Sequence, residues 1–323
     1  MKKEIPLSLP DIGDREEKAV LSALQSNRLS MGPHAIDFEN KLASYVGVKY
    51  AVAVNSGTSG LHLVVRSLKL TEGDQVITTP FSFVASANCL LFEKVCPVFI
   101  DIDPQTLNMD CNLLEKRIDK KTRGLLPVHV FGQPADMNTI LTLASRYNIP
   151  VIEDTCEALG ARYNDKTTGS ESDAAVLAFY PNKQITTGEG GAILTNREDI
   201  AGLCRSMRNQ GRDATSGWYE HSRLGFNYRM DEMSAALGCA QLARLPEILA
   251  KREKAAGTYT KKLRKIDGVT VPFVASGIKM SWFVYVVRLD RRIDRDFVIK
   301  ELTKKKIGCR AYFQPIHLQP FYR

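Results

Sequence analysis

Tyr50-Ala51-Val52-Ala53-Val54-Asn55-Ser56-Gly57-Thr58-Ser59-Gly60 runs from an apolar strand through a small polar turn into a helix that reaches about Leu68. A strand this short and this apolar is buried on both faces. The alternation continues outward from it. Gln75-Val76-Ile77-Thr78-Thr79 reads as a strand followed by a helix around 84–93. Pro97-Val98-Phe99-Ile100-Asp101 is the next strand, then helix 110–118, strand 123–128, helix 135–146 and strand 150–153. Upstream, 14–25 and 35–45 carry apolar residues at helical spacing. Short apolar strands separated by helices predict a mostly parallel sheet covered on both faces.

From about 174 the pattern changes. Strands 174–178 and 191–195 flank a loop, and helices follow at 197–207 and 231–265, the second broken near Pro246. Past 267, strand 282–289, helix 294–305 and a short strand near 308–311 predict a smaller α+β unit. The expected division is a large domain over 1–245 and a small C-terminal domain over 246–323.

Bulk properties narrow the function. The chain has 323 residues, 44% apolar and 25% charged, as in ordinary globular proteins. Met1-Lys2-Lys3-Glu4-Ile5-Pro6 lacks the apolar stretch of a secretory leader, and no apolar run approaches the ~18 residues of a membrane span. A soluble cytoplasmic protein is expected. The 7 cysteines include no Cys-x-x-Cys pair, which argues against a disulfide framework or a zinc site. His34, His62, His129, His221 and His317 show no metal-binding spacing, so no metal is expected. The net charge is +8, but the basic residues are dispersed and Lys304-Lys305-Lys306 has no interleaved aromatics. That pattern points away from nucleic acid and toward attraction of a phosphorylated small molecule.

The chemistry centres on Ala178-Phe179-Tyr180-Pro181-Asn182-Lys183-Gln184-Ile185-Thr186-Thr187-Gly188-Glu189-Gly190-Gly191. A lysine at a strand end, before a glycine-rich turn, is placed to form a Schiff base with an aldehyde cofactor. Asp154 closes another apolar strand, Ile149-Pro150-Val151-Ile152-Glu153-Asp154. A carboxylate there can keep a pyridine nitrogen protonated. Together, lysine and carboxylate are the two contacts a pyridoxal phosphate (PLP) site needs. Ser56-Gly57-Thr58-Ser59-Gly60 opens a helix, where backbone N–H groups favour an anion such as a phosphate. Phe83 offers an aromatic face, and His317 lies in a polar, proline-rich loop. Taken singly, each has an ordinary alternative: a surface lysine, a strand-end aspartate capping a helix, a serine cap with no ligand, a core phenylalanine, a packed loop histidine.

Their order along the chain is more specific. Asn55-Ser56-Gly57-Thr58-Ser59, Phe81-Ser82-Phe83-Val84-Ala85-Ser86, Glu153-Asp154-Thr155-Cys156-Glu157-Ala158-Leu159-Gly160, the Lys183 segment, Leu224-Gly225-Phe226-Asn227-Tyr228-Arg229-Met230 and the His317 loop resemble the DegT/DnrJ/EryC1/StrS aminotransferases. These are PLP-dependent sugar aminotransferases of fold type I. The resemblance implies that Lys183 bonds to the cofactor and shuttles a proton, that Asp154 pairs with the ring nitrogen, and that Phe83 stacks on the ring. It implies phosphate contacts from Gly57 and Thr58, and from Asn227 of a neighbouring subunit, hence a homodimer with shared sites. Glu157 would lie near the cofactor face. Arg229, Tyr312 and His317 would contact the nucleotide-sugar or the amino donor. The implied reaction moves an amino group from an amino acid, chiefly L-glutamate, to a nucleoside-diphosphate-linked keto sugar, for surface polysaccharide or antibiotic sugars. The alternatives are a PLP-dependent sugar dehydratase, against which Lys183 argues because that branch has histidine there, and a non-catalytic PLP-binding regulatory protein on the same fold.

The chain departs from the commonest family pattern in three places. Ala178 stands where a serine hydroxyl often contacts the phosphate, and Glu157 where glutamine or histidine is usual. Relatives also continue with a helical stretch past the His317 loop, so the small domain reads as incomplete at Arg323.

Overall fold

The computed structural model describes residues 4–213, 217 and 219–323. Met1, Lys2 and Lys3, part of the start that lacks a leader-like stretch, lie outside the described residues. Helix α1 (Asp14–Gln25) begins where Glu16 accepts the Gly13 N–H at 2.9 Å, and its acidic first turn faces the exposed amides. Helix α2 (Pro33–Val46) starts on a proline, where the missing N–H is harmless, and stops at Gly47 in the left-handed region. A distant carboxylate completes its first turn. Glu232 accepts the N–H groups of Gly32, His34 and Ala35 at 2.9, 2.8 and 3.1 Å. A side chain at Gly32 would block this approach, because a Cβ there would sit 2.5 Å from a Glu232 oxygen.

The central sheet consists of β1 (Tyr50–Val54), β2 (Gln75–Thr78), β3 (Cys96–Phe99), β4 (Thr122–Leu126), β5 (Ile152–Asp154), β6 (Ala174–Ala178) and β7 (Gly191–Thr195). Helices α3 (Gly57–Ser67), α4 (Ala85–Leu91), α5 (Cys111–Arg117) and α6 (Met137–Tyr147) lie between strands; α7 (Glu198–Arg208), α8 (Glu232–Ala243) and α9 (Leu245–Leu263) follow. The strands pair in the orders β1-β7-β6-β5 and β3-β2-β4. Parallel bridges from Leu125 to Val151 and from Val128 to Asp154 join the two groups into one sheet. Only β7, among these strands, runs against its neighbours. The mixed, mostly parallel sheet expected from the sequence is found, and the reversed strand is the one that follows the Lys183 loop.

Side-chain alternation sorts the two faces. Val52, Val54, Val176 and Ile193 pack with Leu61 and Val64 of α3 and Ile200 of α7. Ala51, Ala53, Ala175 and Leu177 face the other side, against Phe38 and Leu42 of α2 and Leu242 of α8. Burying each of the large side chains stabilises the fold by about 1.5–3 kcal/mol. No helix among the described residues is long and apolar enough to cross a membrane.

The long C-terminal helix is interrupted at Arg244, with Pro246 in the first turn of α9. Beyond it, Val269–Thr270 pairs with Arg288–Leu289, and Ile278–Lys279 pairs with Arg162–Tyr163. Helix α10 (Arg295–Lys304) is capped by Asp294. One expected strand forms only at its end and another does not form. Segment 282–289 is extended in a ladder only at 288–289, because its backbone is bonded elsewhere. The N–H groups of Ser281 and Phe283 go to the carbonyls of Gly132 and Phe131, and Arg252 takes the carbonyls of Trp282 and Phe283. Segment 308–311 finds no strand partner; Gly308 N–H donates to the Ile5 carbonyl at 2.8 Å beside an isolated Ile5–Ile307 bridge.

Glu232→Ala should cost roughly 3 kcal/mol, because buried N–H groups of α2 lose a charged acceptor. The measurement is a lower urea midpoint with an unchanged m-value. Glu232→Gln keeps one acceptor oxygen and should cost less.

Candidate active site

Lys183 lies in the loop between β6 and the antiparallel β7. Phe179 N–H bonds to the Gly190 carbonyl at 2.9 Å and Thr187 N–H to the Phe179 carbonyl at 3.0 Å, closing the loop's base. Lys183 N–H bonds to the Tyr180 carbonyl at 2.9 Å, which makes the tip a tight turn. The amine is largely covered: Nζ lies 3.9 Å from Glu157 Oε1 and 4.2 Å from the centre of the Phe283 ring.

Asp154 ends β5 and is 5% exposed. Its Oδ2 accepts the Ser86 hydroxyl at 2.7 Å, and its Oδ1 accepts the Cys156 N–H at 3.1 Å. Ser86 belongs to α4, so that helix orients the carboxylate. Glu157 follows in the same loop, and its Oε2 accepts the Phe131 N–H at 2.8 Å. Burial pushes the Glu157 carboxyl above its ordinary range; the nearby lysine opposes the shift without overcoming it. Burial, with the Asp154 charge behind it, pushes the Cys156 thiol well up. Cys156 is therefore a neutral space-filler, not a nucleophile.

The N-terminus of α3 faces the same place. Ser56 Oγ accepts the Ser59 N–H at 3.0 Å, and Gly60 N–H closes onto the Ser56 carbonyl at 3.1 Å. The amides of Gly57 and Thr58 have no partner within the helix and can hold an anion. Position 57 admits only glycine, since a Cβ would lie 2.8 Å from Ala178 Cβ and 2.9 Å from Cys156 Sγ. That crowding joins the start of α3, the end of β6 and the Asp154–Glu157 loop. PLP asks for an amine near its aldehyde, a carboxylate at its ring nitrogen and donors for its phosphate. Lys183, Asp154 and the α3 amides meet those demands around one residue, Cys156, so the site fits that cofactor.

The other expected residues are distributed around this centre. Phe83 precedes α4 and is 61% exposed. Tyr312 packs edge-on to Phe131 at 5.8 Å, and burial, then the Glu157 charge, push its hydroxyl up. His317 is exposed and tilted against Phe99 at 6.2 Å, its loop tied down by Ile316 N–H on the Pro80 carbonyl at 2.8 Å. Asn227 is exposed, with its carbonyl 3.4 Å from Asn55 Nδ2 beside the α3 start. Arg229 bonds Asn209 Oδ1 at 2.9 Å and lines a cavity of about 570 Å³ with Met31, Arg205 and Arg208. No contact among the described residues links Arg229 or His317 to Lys183.

Four participants escaped the sequence analysis: Ser86, Gln184, Arg252 and Phe283. Gln184 Nε2 donates to the Glu157 carbonyl at 2.6 Å and to Ser281 Oγ at 2.8 Å. Arg252 donates to the Lys183 carbonyl at 2.7 Å. Ser86 and Gln184 stand inside quoted motifs, so proximity was a usable signal. Arg252 and Phe283 carry no local signal at all.

Such a sheet edge, with its lysine hairpin and the open amides of α3, is that of a fold type I PLP-dependent transferase, the class of the solved structures it superimposes on. The chain belongs to the DegT/DnrJ/EryC1/StrS aminotransferase family, which is matched over residues 10–323. It is 41% identical over 322 residues to the GDP-perosamine synthase of Caulobacter vibrioides, covering 98% of this chain and 86% of that protein. It is 36% identical over 311 residues to the UDP-2-acetamido-2-deoxy-3-oxo-D-glucuronate aminotransferase of Pseudomonas aeruginosa, covering 96% and 85%. Helicobacter pylori PseC, an aminotransferase of pseudoaminic acid biosynthesis, superimposes with a TM-score of 0.94 at 32% identity, over 99% of this chain and 87% of that one.

Glu157 gives a pH test. Its carboxyl is raised by folding, so the folded state holds its proton more tightly than the unfolded chain does. Its contribution to stability is present below the ordinary value of 4.5 and is lost as pH rises through the higher folded value. In cofactor-free protein, wild type should therefore lose stability relative to Glu157→Gln as pH climbs from 4.5, and the gap should then level off. Urea midpoints for both proteins across that range check it; a gap that does not widen with pH contradicts the assignment.

Proposed function

We propose that this protein is a PLP-dependent aminotransferase that transfers an amino group from an amino acid, L-glutamate first among donors, to a nucleoside-diphosphate-linked keto sugar. The observation that carries this is the meeting of Lys183, Asp154 and the open α3 amides at one sheet edge, in a chain similar throughout to nucleotide-sugar aminotransferases. When bound, PLP supplies an electron sink for the charge that develops on the reacting carbon.

The chain's own residues do the rest. Lys183 would hold the cofactor in the resting enzyme and afterwards carry a proton from the substrate carbon. Its covered position, between Glu157 Oε1 and the Phe283 ring, supports this by restricting where the amine can reach. Asp154 would keep the ring nitrogen protonated, and the Ser86 hydroxyl and Cys156 amide fix which way its oxygens point. The Gly57 and Thr58 amides, with the Thr58 hydroxyl, would bind the phosphate. Phe83 would cover one face of the ring. Glu157 is anchored at Oε2 by Phe131, which leaves Oε1 facing the lysine to take or return a proton.

Asn227 sits beside Asn55 at the start of α3 and Arg229 bonds Asn209, and no contact among the described residues joins either to Lys183. The family resemblance supports a homodimer in which each subunit lends Asn227 to its partner's phosphate site. Arg229, Tyr312 and His317 would then surround the nucleotide-sugar or the donor, and dispersed positive charge would attract the diphosphate. The division at 245/246 belongs to the same proposal, supported by the separate Val269–Thr270/Arg288–Leu289 ladder beyond α9. A cytoplasmic setting and a place in surface-polysaccharide or antibiotic-sugar synthesis fit such a substrate. The dehydratase alternative is disfavoured because Lys183 supplies the amine that a dehydratase lacks.

A panel of nucleotide keto-sugars incubated with glutamate should yield 2-oxoglutarate and an amino sugar in equal amounts. Lys183→Ala should lower turnover by about 10²- to 10⁴-fold or more. The proposal fails if borohydride leaves the mass of the Lys183 peptide unchanged in cofactor-loaded protein. Ala178→Ser adds a hydroxyl beside Gly57 and should tighten cofactor binding by about tenfold, the effect of one charge-assisted hydrogen bond, as read by equilibrium dialysis.

A further inference from the structure

Arg252 is an unusual cation. It sits on α9, partly covered, and burial holds its guanidinium below the usual arginine range. No carboxylate among the described residues pairs with it. Its donors go instead to three backbone carbonyls: Nη1 to Trp282 at 3.0 Å and Phe283 at 3.1 Å, and Nη2 to Lys183 at 2.7 Å. Covering a charge without an opposite charge is expensive, and three neutral acceptors offset only part of that cost. A position like this persists when the planar fork does something a neutral side chain cannot.

What the fork joins is specific. One prong holds the backbone of the lysine. The other holds the backbone of the residue whose ring faces the lysine's amine, at 4.2 Å from Nζ. Both segments are loops with no ladder between them. The lysine turn is secured on its N–H side by Tyr180 and on its carbonyl side by Arg252. The Phe283 segment is secured on its N–H side by the Phe131 carbonyl at 3.2 Å and on its carbonyl side again by Arg252. The guanidinium bonds directly to the backbone of both, beside the Gln184–Ser281 hydrogen bond at 2.8 Å that also ties the two segments, and its rigid geometry sets the spacing between the amine and the ring. The ring in turn limits where Nζ can go, with Glu157 Oε1 on another side at 3.9 Å.

We propose that Arg252 is a positioning residue: it fixes the Lys183 backbone and the Phe283 ring relative to each other and so aims the Lys183 amine. This rests on the proposed function, in which that amine holds the cofactor and moves the proton. Arg252 does not touch the reacting atoms in this role, and Phe283 meets only the amine, through its ring face. A displacement of about 1 Å at a proton-transferring group can cost on the order of 10²-fold in rate. A point-like ammonium cannot span carbonyls on two segments, so lysine is not an adequate replacement.

The test uses Arg252→Met, Arg252→Lys and Phe283→Leu beside wild type. In cofactor-free protein, trinitrobenzenesulfonate labelling of the Lys183 peptide is followed by mass spectrometry across pH. In cofactor-loaded protein, kcat and KM for glutamate are measured. Both arginine variants should shift the pH midpoint of Lys183 labelling and lower kcat by about ten- to a hundredfold, with KM changed much less. Phe283→Leu should shift the same midpoint in the same direction as Arg252→Met, because it removes the ring that the arginine holds. Guanidinium ion at non-denaturing concentration should restore part of the kcat of Arg252→Met and none of that of Phe283→Leu. An unchanged labelling midpoint and kcat in Arg252→Lys would overturn the inference, even if Arg252→Met fails to fold. So would a loss of thermal stability in both arginine variants with no change in Lys183 labelling, since that is a purely structural role. Wild-type protein in which borohydride does not mark Lys183 would instead overturn the underlying function, and the two failures are distinct.

Discussion

Every strand of the central sheet except β7 points its C-terminal end to the same edge. That single directional constraint makes the site. The loops leaving β1, β2, β5 and β6 carry Ser56–Thr58, Phe83, Asp154–Glu157 and Lys183 in turn. Residues far apart in sequence are delivered to one place because parallel strands leave their outgoing loops together. The reversal of β7 completes the arrangement. It turns the lysine loop into a closed hairpin whose base is pinned by Phe179, Gly190 and Thr187, where a crossover connection would have carried Lys183 away.

The centre of the site holds its two carboxylates in different ways. Asp154 is held by two donors, a hydroxyl from α4 and an amide from its own loop. Glu157, in the same loop, has one amide donor and a lysine 3.9 Å away, and burial still raises its carboxyl. Two carboxylates three residues apart are thereby held differently: Asp154 by donors on both oxygens, Glu157 on Oε2 alone with Oε1 toward the lysine. Aromatic rings close the remaining side: Phe131, Tyr312, Phe313 and Phe81 pack in edge-on and stacked pairs next to the loop that anchors Glu157.

Elements with a local period were legible in the sequence. The helices expected over 14–25 and 35–45, and the strand–turn–helix from Tyr50, emerged close to where apolar spacing and the Ser56 cap put them. The break near Pro246 was legible for the same reason. The strand expected over 282–289 was not, although its residues suit a strand. Whether Trp282 and Phe283 join a ladder depends on what lies beside them, and there it is Arg252 and the 131–132 loop, which consume their backbone groups. Strand propensity describes a fit to a neighbour, and no neighbour is visible in a local window.

The same distinction divides the site. The sequence alone determined the chemical inventory: an amine at Lys183, a strand-end carboxylate at Asp154, a glycine-opened helix at Gly57, and the charge at Glu157. Each follows from residue type and the turn it occupies. Only the tertiary structure decided that Ser86 orients Asp154, that Phe283 faces the lysine, that Arg252 holds both loops, and that Arg229 bonds Asn209. Those are contacts between segments far apart in the chain, set by which strands pair and in which direction, and short-range spacing carries no record of that choice.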